Sequence, residues 1–456
     1  MKRILLITIL LTVNSGLAFG AYPTTGASQT GYCVVPPYLT QNVKPNINLV
    51  LDFSGSMQFP AYLDCGAWVG YDYSKVANCG TYSAPAATYL YNTARDYYGN
   101  FKSNLYYQYN AGGYFEENTS CTNTDKKGSV SSNCLSGNLL NWITTTRTDV
   151  LRRILTGGRI KTTTIDVLES EGSRYIFTDT NMHCKFTVTA ASTLTRQLKI
   201  ENQYGYTCEI GTYTGYSMDV KISDPSTYIT GIVQSMYPGL VDLELSVYNT
   251  TVGVAYRVGK NKLLTDYTSA INSELAYNGT PTGEGLREAK YYFQQSSYMT
   301  ATGESTVIGK ADYTKDPYYE VGNLPAPCRK SFVLLISDGQ WNGSVDPAGQ
   351  AHEMRKNDLR TDTALPSKQT AATYAGYAFG DGVQGRQAMI TTAIFGGYDD
   401  NDLNGWPYGF TSLPSSSLTV TYPRSVCNPG GTWDAKCSEW DKEKTGLPYN
   451  CFEADD

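Results

Sequence analysis

The sequence is poor in histidine, since only His183 and His352 occur in 456 residues. It also lacks a Cys-x-x-Cys pair, a Gly-x-Ser-x-Gly nucleophile motif and a glycine-rich phosphate-binding loop. These absences leave little support for a zinc site, for serine or cysteine hydrolysis or for nucleotide binding. We therefore expect a protein that is not an enzyme.

A strong excess of charge of one sign is also missing. The chain has 36 lysines and arginines against 42 aspartates and glutamates, spread along its length, and a formal net charge of −6. We expect no nucleic-acid binding, because such proteins usually carry a basic patch.

Long apolar runs are absent after the first residues, so we expect a protein that does not span a membrane. Residues 1–13 combine a basic start with a short apolar stretch, and Ala18-Phe-Gly20 supplies small residues for cleavage. This pattern predicts a secretory signal peptide. The mature protein is expected to be exported, from the periplasm to the cell surface.

Eleven cysteines in an exported chain favour disulfides over metal binding. The nearest cysteines along the chain suggest four bridges, although other pairings stay open. The suggested pairs are Cys65 with Cys79, Cys121 with Cys134, Cys184 with Cys208, and Cys427 with Cys437, while Cys33, Cys328 and Cys451 remain.

A short apolar run at residues 47–51 ends abruptly in Asp52, Ser54 and Ser56. The run is too short for a helix and rich in strand formers, which predicts a strand buried on both faces. Gly55 lets the chain bend so that one carboxylate and two hydroxyls converge, and such hard oxygen ligands suit Mg²⁺, Mn²⁺ or Ca²⁺. A polar strand-to-helix turn capped by serine has the same composition, so this stretch alone leaves both interpretations open.

Two later segments favour the metal site. Residues 331–337 form a second apolar run, which ends in Asp338 and a glycine. Thr280 stands just before a predicted helix that carries Leu286 on its apolar face. In open α/β sheets ligands bind outside the carboxyl ends of the strands, where Asp52 and Asp338 are expected to lie.

This ordered set resembles the von Willebrand factor type A domain, whose metal-ion-dependent adhesion site reads Asp-x-Ser-x-Ser, then Thr, then Asp. The resemblance implies a Rossmann-like α/β fold, with a mostly parallel sheet and helices on both faces. It implies Mg²⁺ or Mn²⁺ ahead of Ca²⁺, with one coordination position open to a partner's carboxylate. The implied direct ligands are Ser54, Ser56 and Thr280, with Asp52 and Asp338 holding the ion largely through water.

Several further segments resemble the N-terminal part of the PilY family of type IV pilus tip proteins. The resemblance spans about residues 45–396 and implies an exported pilus-tip protein that acts in metal-dependent adhesion, pilus biogenesis or both. The segments are Asp52-Phe-Ser-Gly-Ser-Met57, Gly137-Asn-Leu-Leu-Asn-Trp142, Arg147 to Gly158, Gly279-Thr-Pro-Thr-Gly-Glu-Gly-Leu286 and Ile336-Ser-Asp-Gly339.

The implied partners are pilus subunits and a host or abiotic surface ligand that presents a carboxylate. Members of the family normally continue into a C-terminal β-propeller, so a separately encoded propeller protein is a further expected partner. Two alternatives stay open: a structural minor pilus component, and a secreted von Willebrand factor A binding module without a direct adhesive role.

A second candidate site lies near the end of the chain. Asp400-Asn-Asp-Leu-Asn-Gly405 matches the opening of an EF-hand calcium loop, with oxygens at Asp400, Asp402 and Asn404. Thr411 stands at the twelfth position, where a bidentate glutamate is needed. An Asx-rich turn is therefore the favoured interpretation.

Periodicity predicts local structure outside the sites. It indicates one helix over 136–158, a hairpin over 243–258, a helix over 370–379 and a buried strand over 388–395. The expected domains are a signal peptide at 1–20, an extended segment at 21–44, a von Willebrand factor A-like domain at 45–396 with insertions at about 59–135 and 159–238, and a cysteine-containing extension at 397–456.

Overall fold

A computed structural model gives the fold of the chain as a mixed α/β structure with several sheets. The predicted signal peptide, the C-terminal extension and the candidate calcium loop at Asp400, Asp402 and Asn404 lie outside the described residues. The residues that the structure describes are 43–62, 90–162, 165–171, 175–190, 196–225, 230–249, 254–296, 302–303, 308–338, 341–377, 389, 392–393 and 396.

The helices and strands of the described residues are numbered in chain order. The strands are β1 (Asn46–Asp52), β2 (Tyr106–Asn110), β3 (Tyr114–Glu117), β4 (Gly128–Ser129), β5 (Cys134–Ser136), β6 (Ile160–Thr162), β7 (Asp166–Leu168), β8 (Tyr175–Asp179), β9 (Cys184–Ala190), β10 (Arg196–Asn202), β11 (Tyr213–Tyr216), β12 (Val220–Lys221), β13 (Asp242–Tyr248), β14 (Val254–Val258), β15 (Thr302–Gly303), β16 (Tyr319–Glu320), β17 (Leu324–Pro325), β18 (Ser331–Ser337) and β19 (Ala371–Tyr377). The helices are α1 (Gly137–Thr144), α2 (Arg147–Thr156), α3 (Ile232–Met236), α4 (Leu264–Ser273), α5 (Thr282–Gln294) and α6 (Pro347–Lys356).

The central sheet has the strand order β15-β14-β13-β1-β18-β19. Its middle strand, β1, pairs in parallel with β13 and with β18, and β18 pairs in parallel with β19. The predicted hairpin is confirmed, because β14 runs antiparallel to β13. The antiparallel strand is not at the edge, since the two-residue strand β15 pairs with its outer side.

Both faces of β1 are buried, as its continuous apolar run predicts. On one face Leu49 shares a buried cluster with Leu151 of α2 and Ile271 of α4. On the other face Val50 shares a cluster with Leu286 of α5. The sheet is therefore covered by helices on both sides, and its strand ends are left to form loops.

The chain between β1 and β13 builds a second core around aromatic side chains. It contains a seven-stranded sheet in the order β4-β5-β2-β3-β12-β7-β6, a four-stranded sheet in the order β11-β10-β9-β8, and helix α1. The Trp142 ring lies 5.4, 5.1 and 5.7 Å from the rings of Tyr91, Phe177 and Phe186. Both segments predicted as insertions contribute strands here, and many of their tyrosines are core residues.

The single helix predicted over 136–158 is wrong, because the structure has two helices separated at Thr145 and Thr146. Thr146 has an extended backbone and starts α2 through a capping box with Asp149. The outer bounds of the predicted helix agree with the structure, because Ser136 caps the start of α1 and Gly157, in a left-handed conformation, ends α2.

Two predictions near the end of the sheet are also wrong. Residues 371–377, within the predicted helix, form strand β19, which adds to the sheet beside β18. In the predicted strand over 388–395, the described residues Met389, Thr392 and Ala393 are helical. Residues 371–377 are mostly alanine, tyrosine and glycine and have no clear periodicity, so pairing with β18 decides their structure.

Two of the suggested disulfides are confirmed, namely Cys121–Cys134 and Cys184–Cys208. Cys328 is likewise disulfide-bonded. The other two suggested pairs lie outside the described residues.

Glu244 of β13 is a fully buried carboxyl whose burial predicts a pH-dependent stability. Burial raises the pKa of Glu244 well above its usual range and the charge of Asp242 adds to the shift, while Lys260 and Arg329 oppose it. As pH rises, the unfolded chain loses this proton first, so the folded state binds more protons and stability falls. As pH rises above about 5, we expect the free energy of unfolding of Glu244→Gln to increase relative to that of the wild type, by up to about 1.4 kcal/mol per pH unit, until the pH reaches the raised pKa of Glu244. Urea unfolding measures this difference.

Glu116→Gln is the matched control for this experiment. Hydrogen bonds, chiefly from Asn110, lower the pKa of Glu116, so this group is ionised in both states across the same range. We expect the control to show the pH dependence of the wild type. An equal pH dependence in Glu244→Gln and the wild type would contradict the account.

Candidate functional site

The turn after β1 brings Asp52, Ser54 and Ser56 together. The Ser54 backbone N–H donates to Asp52 Oδ1 at 2.8 Å, which folds the chain back at the strand end. The hydroxyl oxygens of Ser54 and Ser56 are then 3.0 Å apart. Asp52 and Ser54 are fully buried, and Ser56 is half-buried. One carboxylate and two hydroxyls are therefore fixed in a single short turn.

Asp338 joins this turn because β18 lies beside β1 in parallel register. The preceding residue, Ser337, donates its hydroxyl to Asp52 Oδ2 at 2.6 Å. Burial, reinforced by the negative charge of Asp338, raises the pKa of Asp52 to about 7, although hydrogen bonds from Ser337 and Ser54 oppose the rise. Two buried carboxyl groups this close to one another favour any cation that compensates their charge.

Thr280 lies in the loop between α4 and α5, and two hydrogen bonds join this loop to the β1 turn. The Gly55 N–H donates to the Asn278 carbonyl, and the Tyr277 N–H donates to the Phe53 carbonyl, each at 2.9 Å. Thr280 is 6% exposed. The structure thus places the segments of all five predicted ligands side by side at the carboxyl end of the sheet.

Asn342 joins the Thr280 loop to the segment that follows Asp338 through two hydrogen bonds. The Thr280 N–H donates to Asn342 Oδ1 at 2.6 Å, and the Asn342 N–H donates to the Thr280 carbonyl at 3.0 Å. A side chain at Gly279 would bring its Cβ to 2.7 Å from Asn342 Oδ1, so the Asn342 side chain would have to shift. Asn342 was not predicted from the sequence, where a lone asparagine carries no signal.

Arg147 is a second residue that the sequence prediction missed. Its Nη1 donates to Asp338 Oδ2 at 2.7 Å, and the two side chains are only 8% and 2% exposed. The contact joins residues 191 positions apart, so no local pattern indicates it. A positive charge is thus built into the edge of the candidate site.

The residues present fit a hard divalent cation. Within the described residues there is no group of three or more histidine, cysteine, aspartate or glutamate side chains that can hold a metal ion. The candidate set is of another kind, with two carboxyls and three hydroxyls, and such oxygens suit Mg²⁺, Mn²⁺ or Ca²⁺. Asp338 Oδ1 is buried and has no hydrogen-bond partner among the described residues, which leaves it free for a new contact.

The chain was compared with known protein families, curated proteins and solved structures. The comparison with curated proteins found no match. Among solved structures, proximal thread matrix protein 1 from the mussel byssus (crystal form 2) is matched at 16% identity and a TM-score of 0.19. The match covers 34% of this chain and 33% of the mussel protein, so it spans about a third of the mussel protein's length. A similarity this low does not indicate a shared fold or function.

The family comparison concerns the aromatic second core. A model described as "PilY1 homolog, small alpha/beta domain" matches residues 88–229. The buried cluster around Trp142 draws its members from Tyr91 to Ile222, inside the matched range. Among the described residues no helix is long and apolar enough to cross a membrane. Residues 88–229 are therefore similar to the small alpha/beta domain of PilY1 homologs, and this match supports a relationship to the PilY1-type family.

Proposed function

We propose that this protein acts in metal-dependent adhesion at the tip of a type IV pilus, and that the central sheet is a von Willebrand factor type A domain. The observation that carries the proposal is the convergence of Asp52, Ser54, Ser56, Thr280 and Asp338 at one end of the sheet. The PilY1-homolog domain supports the association with type IV pili.

The strand order supports the proposed fold. If the sheet strands β1, β13, β14, β18 and β19 are numbered one to five, their spatial order is 3-2-1-4-5. The order reverses between β1 and β18, which is the switch point where open α/β sheets bind their ligands. Asp52 and Asp338 stand at the carboxyl ends of these two strands.

A divalent cation bound at this site would act as a Lewis acid and could accept a carboxylate from a partner. The Ser54, Ser56 and Thr280 hydroxyls would hold it directly, with Asp52 and Asp338 acting largely through water. The protein's own part is to keep these groups in place, through the Asp52–Ser54 turn and the serine hydroxyl pair. Mg²⁺ or Mn²⁺ is the proposed ion, with Ca²⁺ as the alternative.

The disulfides and the family match agree with an exported protein. We propose that it acts between the periplasm and the cell surface, with pilus subunits as partners. No catalytic role is proposed.

A second candidate function is that of a structural minor pilus component, in which the cation only orders the strand-end loops. The full burial of Asp52 and Ser54 favours it, because an ion held by groups without solvent access would order the loops around it without contacting a partner. In this case the aromatic second core, within residues 88–229, would make the contacts with pilins.

The phenotype of Asp52→Ala in piliated bacteria separates the two functions. If the cation binds a surface ligand, adhesion should fall to the level of a deletion strain while the number of pili stays unchanged. If the cation is structural, pili should be lost or misassembled. The control is Asp96→Ala, which removes an exposed carboxylate that pairs with Lys126. Normal adhesion and piliation in Asp52→Ala would contradict both functions.

A further inference from the structure

We propose that Arg147 is an internal cation: its guanidinium compensates Asp338 when the divalent ion is absent and competes electrostatically with that ion when it binds. The inference rests on the proposed function, because it concerns the same site. Its consequence is that the wild-type protein stays folded without metal and binds the metal more weakly than its ligands alone would allow.

Two contacts of the guanidinium and one backbone hydrogen bond hold Arg147 in place. Nη1 of Arg147 donates to Asp338 Oδ2 at 2.7 Å. The guanidinium carbon lies 5.3 Å from the centroid of the Phe59 ring, and the Arg147 backbone N–H donates to the Phe59 carbonyl at 3.0 Å. Phe59 follows Ser56 by three residues, so the turn that carries the hydroxyls also holds the arginine.

The contact engages only one oxygen of the carboxylate. Asp338 Oδ1 is buried without a hydrogen-bond partner among the described residues, and Arg147 Nε is in the same state. A bidentate pair would occupy both oxygens of the carboxylate. The observed pair therefore leaves Asp338 able to contact a divalent ion while the arginine stays beside it.

The charge of Arg147 affects the metal-free and the metal-bound protein in opposite directions. A buried carboxylate without a partner is strongly destabilising, so in the metal-free protein Arg147 supports the fold. Once a divalent ion compensates Asp52 and Asp338, the nearby guanidinium adds repulsion instead. Removing the arginine charge should therefore harm the metal-free state more than the metal-bound state.

The pair also connects two parts of the chain. Arg147 lies within the matched range 88–229, whereas Asp338 follows β18 of the central sheet. A divalent ion that shares the Asp338 carboxylate weakens its hold on Arg147. Occupation of the site is thus expected to loosen one link between the PilY1-homolog domain and the sheet.

The test compares thermal unfolding of the wild type, Arg147→Gln and Arg147→Lys with EDTA and with Mn²⁺, and measures Mn²⁺ binding by electron paramagnetic resonance. We expect Arg147→Gln to unfold at a lower temperature in EDTA and to show a larger upward shift with Mn²⁺ than the wild type. Its dissociation constant for Mn²⁺ should fall by about tenfold. Arg147→Lys keeps the charge and should behave more like the wild type.

Arg360→Gln is the control, because Arg360 forms an equally buried pair with Asp316 at 2.7 and 2.9 Å. The segment next to Asp316 contacts Asn46, at the opposite end of β1 from Asp52. This variant should lose thermal stability with no change in the size of its Mn²⁺ shift.

The outcomes separate the inference from the proposed function. The inference alone would be overturned if Mn²⁺ raises the unfolding temperature of the wild type, and raises that of Arg147→Gln by the same amount or less. In that case Arg147→Gln would also bind Mn²⁺ no more tightly than the wild type. Such a result would mean that Arg147 orients Asp338 for the ion. If Mn²⁺ neither binds to any of these proteins nor changes its unfolding temperature, both proposals are overturned. If Arg147→Gln does not fold in EDTA, its refolding from urea decides: recovery only with Mn²⁺ supports the inference, and recovery under neither condition contradicts it.

Discussion

Replacing Arg152 with methionine is expected to lower the free energy of unfolding by about 3–5 kcal/mol, the cost of breaking a buried ion pair from one side. Arg152 is 1% exposed and lies on α2. Its guanidinium donates to the Glu171 carboxylate and to the carbonyls of Ile271 and Glu274. Methionine keeps the apolar stem but leaves the buried Glu171 without this partner.

The same substitution should disturb the candidate site. The guanidinium carbon of Arg152 lies 5.5 Å from the ring centroid of Phe53, the residue between Asp52 and Ser54. Arg152 therefore supports the β1 turn from the side of α2. We expect Arg152→Met to weaken any cation response as well as the fold.

Urea unfolding of the purified protein measures this effect. Arg153→Met is the control, since Arg153 is the adjacent arginine of the same helix and only partly buried. Arg153→Met should lower the free energy of unfolding by no more than about 1 kcal/mol. A loss of similar size in both variants would contradict the role given to Arg152.

The second large effect concerns the cation. At about a hundred times its dissociation constant, an ion that binds only the folded state stabilises it by about 2.7 kcal/mol. Asp52→Asn should abolish this gain, because an amide brings no negative charge to the site. The amide oxygen can still accept from the Ser54 N–H, so the turn is retained.

Thermal unfolding with EDTA, Mg²⁺, Mn²⁺ and Ca²⁺ measures the gain. In EDTA we expect Asp52→Asn to be at least as stable as the wild type, because burial disfavours the ionised carboxylate that it removes. Asp312→Asn changes a carboxylate that accepts from Thr314 in its own turn, outside the site, and should keep the full response. A cation response that survives in Asp52→Asn would contradict the assigned ligands.

The parts of the fold that follow from local patterns were predictable. The apolar run before Asp52 forms β1, the run before Asp338 forms β18, and the helix after Thr280 is α5. In each case apolar periodicity and a turn residue suffice, since no distant contact alters the outcome. The position of the candidate site at the sheet edge follows from the same patterns.

The errors arise where tertiary contacts or local polar groups override periodicity. Residues 371–377 have no strong preference of their own, and pairing with β18 makes them a strand. The helix expected over 136–158 is interrupted because the Thr146 hydroxyl accepts from the Asp149 N–H and starts a new helix. Such a capping box is visible in the sequence, but a continuous apolar face conceals it.

The contacts that complete the candidate site could not be predicted from the sequence, for a different reason. Arg147 meets Asp338, and Asn342 meets Thr280, across 191 and 62 positions. Neither arginine nor asparagine stands in a repeating pattern that points to its partner. Only the assembled sheet, which brings β1 and β18 together, reveals which charges surround the site.

The central claim is that a divalent cation binds among the β1 turn, the Thr280 loop and Asp338. Anomalous diffraction from a crystal of the protein grown with Mn²⁺ tests it most directly. The account predicts one strong peak within bonding distance of the Ser54 and Ser56 hydroxyls. A protein that is well ordered in this region and shows no peak there, or only a peak elsewhere, would contradict it.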